Sequence, residues 1–297
     1  MKAGKPDESQ RWFYTIEIDR GVFTEGQGHQ NIAITRDLLR SVDFKGRDCI
    51  DIGTQEALVP ILLKRGGAKR VVGYDRRNLS ERIACVQTVH GAAFDYVGGV
   101  QLRDLPAVLD GRGGRYFDLV VFSAVLTQLA DPLGGLALVR SFCKIGGLFL
   151  IETETIFADE YHLVFNAKGS LDPYSHFFTP TTAWLDYALR LLGLRPVDVR
   201  YLGKAKRLAK LRVAVLCSSE PAACPLDPAD QWAFLPSHER NFKESQLDWA
   251  ELKKQISAIE QGEVRHPPTA GINASIRRSR PHPLEQDDLR LLLTSSM

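Results

Sequence analysis

Long apolar runs are missing from this 297-residue sequence. No stretch approaches the ~18 apolar residues needed to cross a bilayer. The opening residues MKAGKPDESQRW lack the apolar centre of a signal peptide. An excess of charge is missing too. The 38 Lys+Arg against 36 Asp+Glu leave a net charge of +2, which argues against a nucleic acid held mainly through its phosphates. Cysteine is sparse: five residues, widely spaced, with no C-x-x-C. Neither a disulfide framework nor a structural zinc site is expected from that number and spacing. The seven histidines form no H-x-x-x-H pair, so no metal is expected. Cys49, Cys143 and Cys217 sit in apolar runs and read as small core residues. A reducing, cytoplasmic setting follows from these thiols.

What is present is an ordinary globular composition, 44% hydrophobic and 25% charged, which excludes a disordered or fibrous chain. Residues 32–218 alternate short apolar β-rich runs with helical stretches, the pattern of a mostly parallel sheet covered on both faces. Strands are predicted at 48–52, 70–74, 93–97, 118–123, 148–152, 196–202 and 208–218. The last two, joined through Gly203, read as an antiparallel hairpin. Helices are predicted at 31–42, 57–65, 132–144 and 181–192. Gly66-Gly67, Gly146-Gly147 and Gly193 serve as stops, and Asp131-Pro132 as a start. Pro60 requires its helix to begin near Val59. The fold class is therefore α/β: a doubly wound, seven-stranded, mostly parallel sheet with an antiparallel last strand. Around it lie an N-terminal lid (1–31) and a C-terminal extension (219–297). Within the extension, Ser245-x-x-Asp248 opens a helix over 245–261. Its stripe of Trp249, Leu252, Ile256 and Ile259 offers a contact for the core or for a homodimer. Residues 263–297 read as a partly flexible tail with a leucine cluster at 289–293.

The segment Asp48-Cys-Ile-Asp51-Ile-Gly53-Thr54-Gln55-Glu56-Ala57 carries the most information. A strand ends in Asp-x-Gly and a helix follows at once. Gly53 permits a sharp turn and close approach of a ligand. The next strand ends in Gly73-Tyr74-Asp75, where a carboxylate accepts hydrogen bonds from both hydroxyls of a ribose. Both positions fall at the carboxyl edge of the sheet, where open α/β folds bind ligands. Dinucleotide enzymes require G-x-G-x-x-G. Here one glycine is followed by Gln55 and Glu56, and a carboxylate at the helix start would repel a pyrophosphate. The phosphate-loop pattern G-x-x-x-x-G-K-S/T is absent. The nucleoside that remains is S-adenosylmethionine (SAM), which carries no phosphate and has a cationic sulfonium.

These residues resemble the class I SAM-dependent methyltransferases. Asp51-x-Gly53 looks like their first motif, Asp75 like their ribose-binding acid, Phe117 to Leu133 like their fourth-strand motif, and Gly146-Gly147 to Glu152 like their fifth. A closer similarity is to the wobble-uridine tRNA methyltransferase branch. It rests on Trp12-Phe-Tyr14-Thr-Ile-Glu17-Ile, on Val125 to Leu129 with Gln128 in place of a histidine, and on Asp172-Pro173 to Pro180. The resemblance implies SAM as cofactor, S-adenosylhomocysteine (SAH) as its product, and cofactor contacts at Asp51, Gly53, Thr54, Gln55, Asp75, Arg76, Val100, Ser123 and Ala124. It implies acceptor contacts at Trp12, Tyr14, Glu154 and Phe178. Catalytic groups are expected at Tyr161, His162 and His176, since a neutral imidazole takes a proton near pH 7. The expected activity is methyl transfer to an oxygen or nitrogen of a small metabolite, as in specialised biosynthesis. Two alternatives stand beside it: RNA modification, which the basic residues Arg200, Lys204, Lys206, Arg207, Lys210 and Arg212 would serve, and a non-catalytic nucleoside-binding scaffold.

Overall fold

A computed structural model describes residues 12–26, 28–166, 177–203 and 208–221, with the backbone alone of 29–31 and 275–278. The predicted helix 245–261, the leucine cluster at 289–293, His176, Lys204, Lys206 and Arg207 lie outside the described residues. In chain order the elements are β1 (Glu17–Asp19), β2 (Val22–Phe23), α1 (His29–Leu39), β3 (Asp48–Ile52), α2 (Leu58–Arg65), β4 (Arg70–Asp75), α3 (Ser80–His90), β5 (Asp95–Gly98) and α4 (Leu105–Asp110). There follow β6 (Phe117–Ser123), α5 (Pro132–Arg140), β7 (Cys143–Ile156), β8 (Leu163–Phe165), β9 (Phe178–Pro180), α6 (Thr182–Leu191), β10 (Leu194–Leu202), β11 (Lys210–Ser219) and β12 (Ser275–Arg278).

The central sheet runs in the order β12-β10-β11-β7-β6-β3-β4-β5. Strands β5, β4, β3, β6 and β7 are parallel neighbours. β11 inserts antiparallel between β7 and β10. The seven expected strands are therefore present, with the predicted hairpin at the end. The chain departs from β3 toward β5, then returns to place β6 on the other side of β3. That reversal opens a crevice at the carboxyl ends of β3 and β6.

Strand alternation divides the core. Ile50, Ile52, Val120, Phe122, Phe149 and Ile151 face one side, packed with α4, α5 and α6 residues. Cys49, Leu119, Val121 and Leu150 face the other, against α1, α2 and the segment Trp12 to Ile18. The period of two puts each β-rich run in contact with both layers.

Four details differ from the sequence reading. Residues 275–278 form an eighth strand, parallel to β10. They occupy the edge that β10 would otherwise leave with unpaired backbone groups, and four residues are too short to show a period. Helices α3 and α4 had no clear sequence signal. In α3 only Ile83, Cys85, Val86 and His90 are buried. Third, α5 stops at Arg140 rather than near residue 144. The Arg140 guanidinium is buried and donates to the carbonyls of Leu192 (3.1 Å), Cys143 (3.0 Å) and Glu220 (2.6 Å), drawing the chain into β7. Finally, Gly146, at φ +78°, sits in the bulged start of β7 instead of ending a helix. Pro60 falls in the first turn of α2, where its missing N–H costs nothing.

Candidate functional site

The loop between β3 and α2 is built around three left-handed residues: Gly53 (φ +85°), Gln55 (φ +49°) and Ala57 (φ +65°). Two of the three are not glycine, and each of those stores about 1–2 kcal/mol of backbone strain. The loop is pinned to the end of β4, because the N–H groups of Gly53 and Thr54 donate to the Tyr74 carbonyl at 2.8 and 2.9 Å. A Cβ on Gly53 would stand 2.3 Å from Val125 Cγ2. Gly53→Ala is accordingly expected to cost about 1–2 kcal/mol in urea unfolding from conformation alone. It should also displace Val125 and weaken ligand binding in the crevice; wild-type stability in that titration would contradict this placement of the loop.

Asp75, at the end of β4, is only 4% exposed. Its carboxylate accepts the Gln55 N–H at 3.1 Å and the Arg77 N–H at 2.9 Å. The Arg77 side chain reaches the same carboxylate at 3.3 Å and also contacts Gln55 Oε1. Both carboxylate oxygens are thereby oriented, with lone pairs left over, since a carboxylate offers about four. Asp51 lies behind the loop, buried. Burial, and secondarily the charge of Asp75, push its carboxyl up to about 7, against a lowering contribution from Thr54.

A cleft of about 430 Å³ opens at this point, within the range of small-molecule sites. Of the residues expected at the site, Gly53, Gln55, Asp75, Arg76, Ser123, Ala124, Tyr14 and Glu154 line it together. Asp51 and Thr54 are buried beneath the loop. Val100 packs against the core beside the cleft, and its carbonyl accepts the Tyr74 hydroxyl at 2.9 Å. Trp12 is buried under the Arg82 guanidinium, 4.9 Å from its ring, and is not in the lining. Phe178 packs on Phe165 in the β8–β9 pair. Tyr161 is 59% exposed and stacks edge-on with Tyr187. His162 is exposed and meets Thr181 through its backbone. Neither is among the residues that line the cleft.

Sequence reasoning did not single out Phe13, Arg77, Phe177 or Arg212 as lining residues, yet all four line the cleft. Phe13 and Phe177 are immediate neighbours of residues that were noted. Arg212 carried a signal only as part of the basic stretch. It stands opposite Glu154 in the β11–β7 register and reaches Glu152 at 2.7 Å. Glu152 is fully buried and also accepts the Ser123 hydroxyl at 3.0 Å, and Ser123 in turn meets Thr35 at 2.9 Å. Lys210 Nζ lies 2.9 Å from Glu154, and Arg200 pairs with Asp198. The described members of the basic stretch thus hold carboxylates within the sheet. Burial raises the Tyr14 hydroxyl well above its ordinary range, helped by the charges of Asp51, Glu56 and Glu152. It stays protonated at neutral pH. Glu56 faces away from the cleft, so repulsion by its carboxylate is not what shapes the ligand site. Among the described residues, no three His, Cys, Asp or Glu side chains converge to hold a metal ion, and no helix is long and apolar enough to cross a membrane.

A family profile described as a methyltransferase domain matches residues 25–199. The chain belongs to that methyltransferase domain family. Its curated relatives include the ubiquinone biosynthesis O-methyltransferases of Cereibacter sphaeroides strain KD131, 31% identical over 173 residues, and of Dinoroseobacter shibae, 32% identical over 173 residues. In both cases the match covers 55% of this chain and 66% of the relative, so this methyltransferase domain aligns with just under two thirds of those proteins. Among solved structures, the cyclase SpnF superposes with a TM-score of 0.51 at 14% identity, covering 70% of this chain and 87% of that one. That likeness concerns the fold. One fold hosts different chemistries, so the reaction has to be argued from the cleft.

Proposed function

We propose that this chain is a SAM-dependent methyltransferase acting on an oxygen or nitrogen of a small molecule. The observation that carries the reading is Asp75, an oriented and nearly buried carboxylate beside the Gly53 turn, at the sheet's reversal point, in a loop without a dinucleotide glycine run. The donor set fits the nucleoside. Asp75 has acceptor capacity for two ribose hydroxyls, Gly53 permits close approach, and Gln55, Ser123 and Ala124 supply the adjacent wall. When bound, SAM supplies a methyl group on a sulfonium leaving group.

The protein's own task is to hold the acceptor, exclude water and receive a proton. Phe13, Tyr14 and Phe177 provide apolar cover. Glu154 is the carboxylate in the acceptor half of the cleft, and in this reading its Oε takes the proton released from an O–H or N–H acceptor. Tyr161 and His162 are not among the lining residues, so Glu154 takes that role in their place. The relatives named as O-methyltransferases of ubiquinone biosynthesis favour an oxygen acceptor on a small molecule. We assign the activity to specialised metabolism in a reducing cytoplasm, in line with the four described cysteines being free and buried. A homodimer through the 245–261 stripe belongs to the same proposal. The wobble-uridine similarity supports RNA as a second acceptor class, and the internal pairing of Arg200, Lys210 and Arg212 weighs against it.

Isothermal titration with SAM and with SAH is expected to show binding of both. Incubation with methyl-labelled SAM and a metabolite extract is expected to yield a labelled small molecule. Absence of binding at millimolar concentration would remove the proposal, and binding without any labelled product would favour a nucleoside-binding scaffold. Label appearing in tRNA would move the acceptor to RNA.

A further inference from the structure

The residues after Thr54 are Gln55, Glu56 and Ala57, and the middle one has a distinct partner set. The Glu56 carboxylate is 1% exposed. It accepts the Phe13 N–H at 3.0 Å and the Tyr14 N–H at 3.3 Å. Arg82 Nη1 lies 3.1 Å from the same group, and the Arg82 guanidinium also covers the Trp12 ring. A carboxylate withdrawn from water is costly unless it is paired and hydrogen-bonded. Here that compensation comes from one cation and two backbone N–H groups of the N-terminal segment. Charge-assisted bonds of this kind are the stronger class.

The contact lies directly behind the cleft wall. Phe13 and Tyr14 line it from the N-terminal segment, and Gln55, the residue next to Glu56, lines it from the cofactor loop. The remainder of the segment is held by other means. Gly28 N–H donates to the Phe13 carbonyl at 2.7 Å and the Thr24 hydroxyl to the Tyr14 carbonyl at 2.7 Å, both within the segment's own turn. Further along, the Glu17 carbonyl meets His90 Nε2 at 2.9 Å, which ties β1 to α3. Residues 12–14 are thus tied to the cofactor loop and α3 by Glu56 and Arg82, and to the start of α1 by Gly28.

We propose that Glu56 is a positioning residue, a clasp that docks residues 12–14 on the cofactor loop, so that ordering the loop and closing the aromatic wall are one event. This rests on the SAM reading given above. Because coupling between two sites is reciprocal, a nucleoside that orders the loop tightens the clasp, and loss of the clasp weakens the nucleoside.

The test uses the full chain, with SAH as probe and chymotrypsin, which cleaves after Trp12, Phe13 and Tyr14. In the wild type, saturating SAH is expected to slow cleavage at these bonds. In Glu56→Ala, cleavage there is expected to be about tenfold faster, SAH to protect no longer, and the SAH Kd to rise about tenfold, within the usual span of coupling between sites. Glu56→Gln keeps an oxygen for the amides but loses the charge facing Arg82, and should fall between the two. A purely structural role would lower thermal stability without abolishing protection by SAH. Wild-type cleavage rates and wild-type SAH affinity in either folded variant would overturn the proposal, and Glu56→Gln decides if Glu56→Ala does not fold. If the wild type itself binds no SAH, the cofactor reading fails, and cleavage compared without ligand still tests the clasp.

Discussion

Asp75→Ala is expected to weaken SAH binding by on the order of 2–3 kcal/mol, about a hundredfold in Kd, because two hydrogen bonds to a charged acceptor are lost. The effect has two sources in the structure. The carboxylate is the acceptor available for a ribose at the end of β4. It also orders the loop, through the Gln55 N–H at 3.1 Å and the Arg77 N–H at 2.9 Å. Asp75→Asn keeps one oxygen and should lose less. The measurement is titration calorimetry with SAH, alongside urea unfolding to show that the fold persists. Unchanged affinity in Asp75→Ala would mean that the ribose does not lie there.

The largest pH effect on stability is expected from Asp51, whose carboxyl rises from 3.8 to about 7 chiefly through burial. In the unfolded chain it titrates near the ordinary value. Between the two, the folded state holds a proton that the unfolded state has released. Its contribution is therefore fully present below pH ~4, falls as pH rises, and is gone above about 7. The gap amounts to about 4 kcal/mol. Asp51→Asn removes this slope, so the stability difference between variant and wild type should grow in the variant's favour from pH 4 to pH 7 and then level off. Urea titrations of both proteins across that range check it, and parallel profiles would show that Asp51 ionises freely. Glu152 is also raised by burial, with Arg212 and Ser123 opposing. It has the same sign in both proteins and cancels in the comparison.

The parallel part of the sheet was legible because its strands are short, mostly apolar runs with glycine nearby, and a strand buried on both faces leaves that mark in the chain. Gly53 and Asp75 were legible for a related reason: each sits at a strand end, one residue from a change of element. Arg212 was not. Its neighbours in sequence, Leu211 and Val213, are buried on the opposite side of β11, and nothing local distinguishes a lysine-rich edge from a guanidinium locked onto a buried glutamate. Tyr161 and His162 were singled out by residue type, which suits proton transfer but carries no information on position; both are exposed and outside the cleft lining. The strand at 275–278 depends on a partner, β10, that lies about 75 residues away in sequence, a pairing whose loop-closure cost is not visible in a local pattern.

The amino-acid order by itself determined the α/β class, the strand sequence, the turn at Gly53 and the acid at Asp75, since periodicity, glycine and strand-end chemistry act over a few residues. Tertiary structure alone decided which charges neutralise one another, that Glu56 faces the N-terminal segment, and that Glu154 lines the cleft while His162 does not. Those outcomes depend on which distant strands become neighbours, and burial then gives each charge its partner.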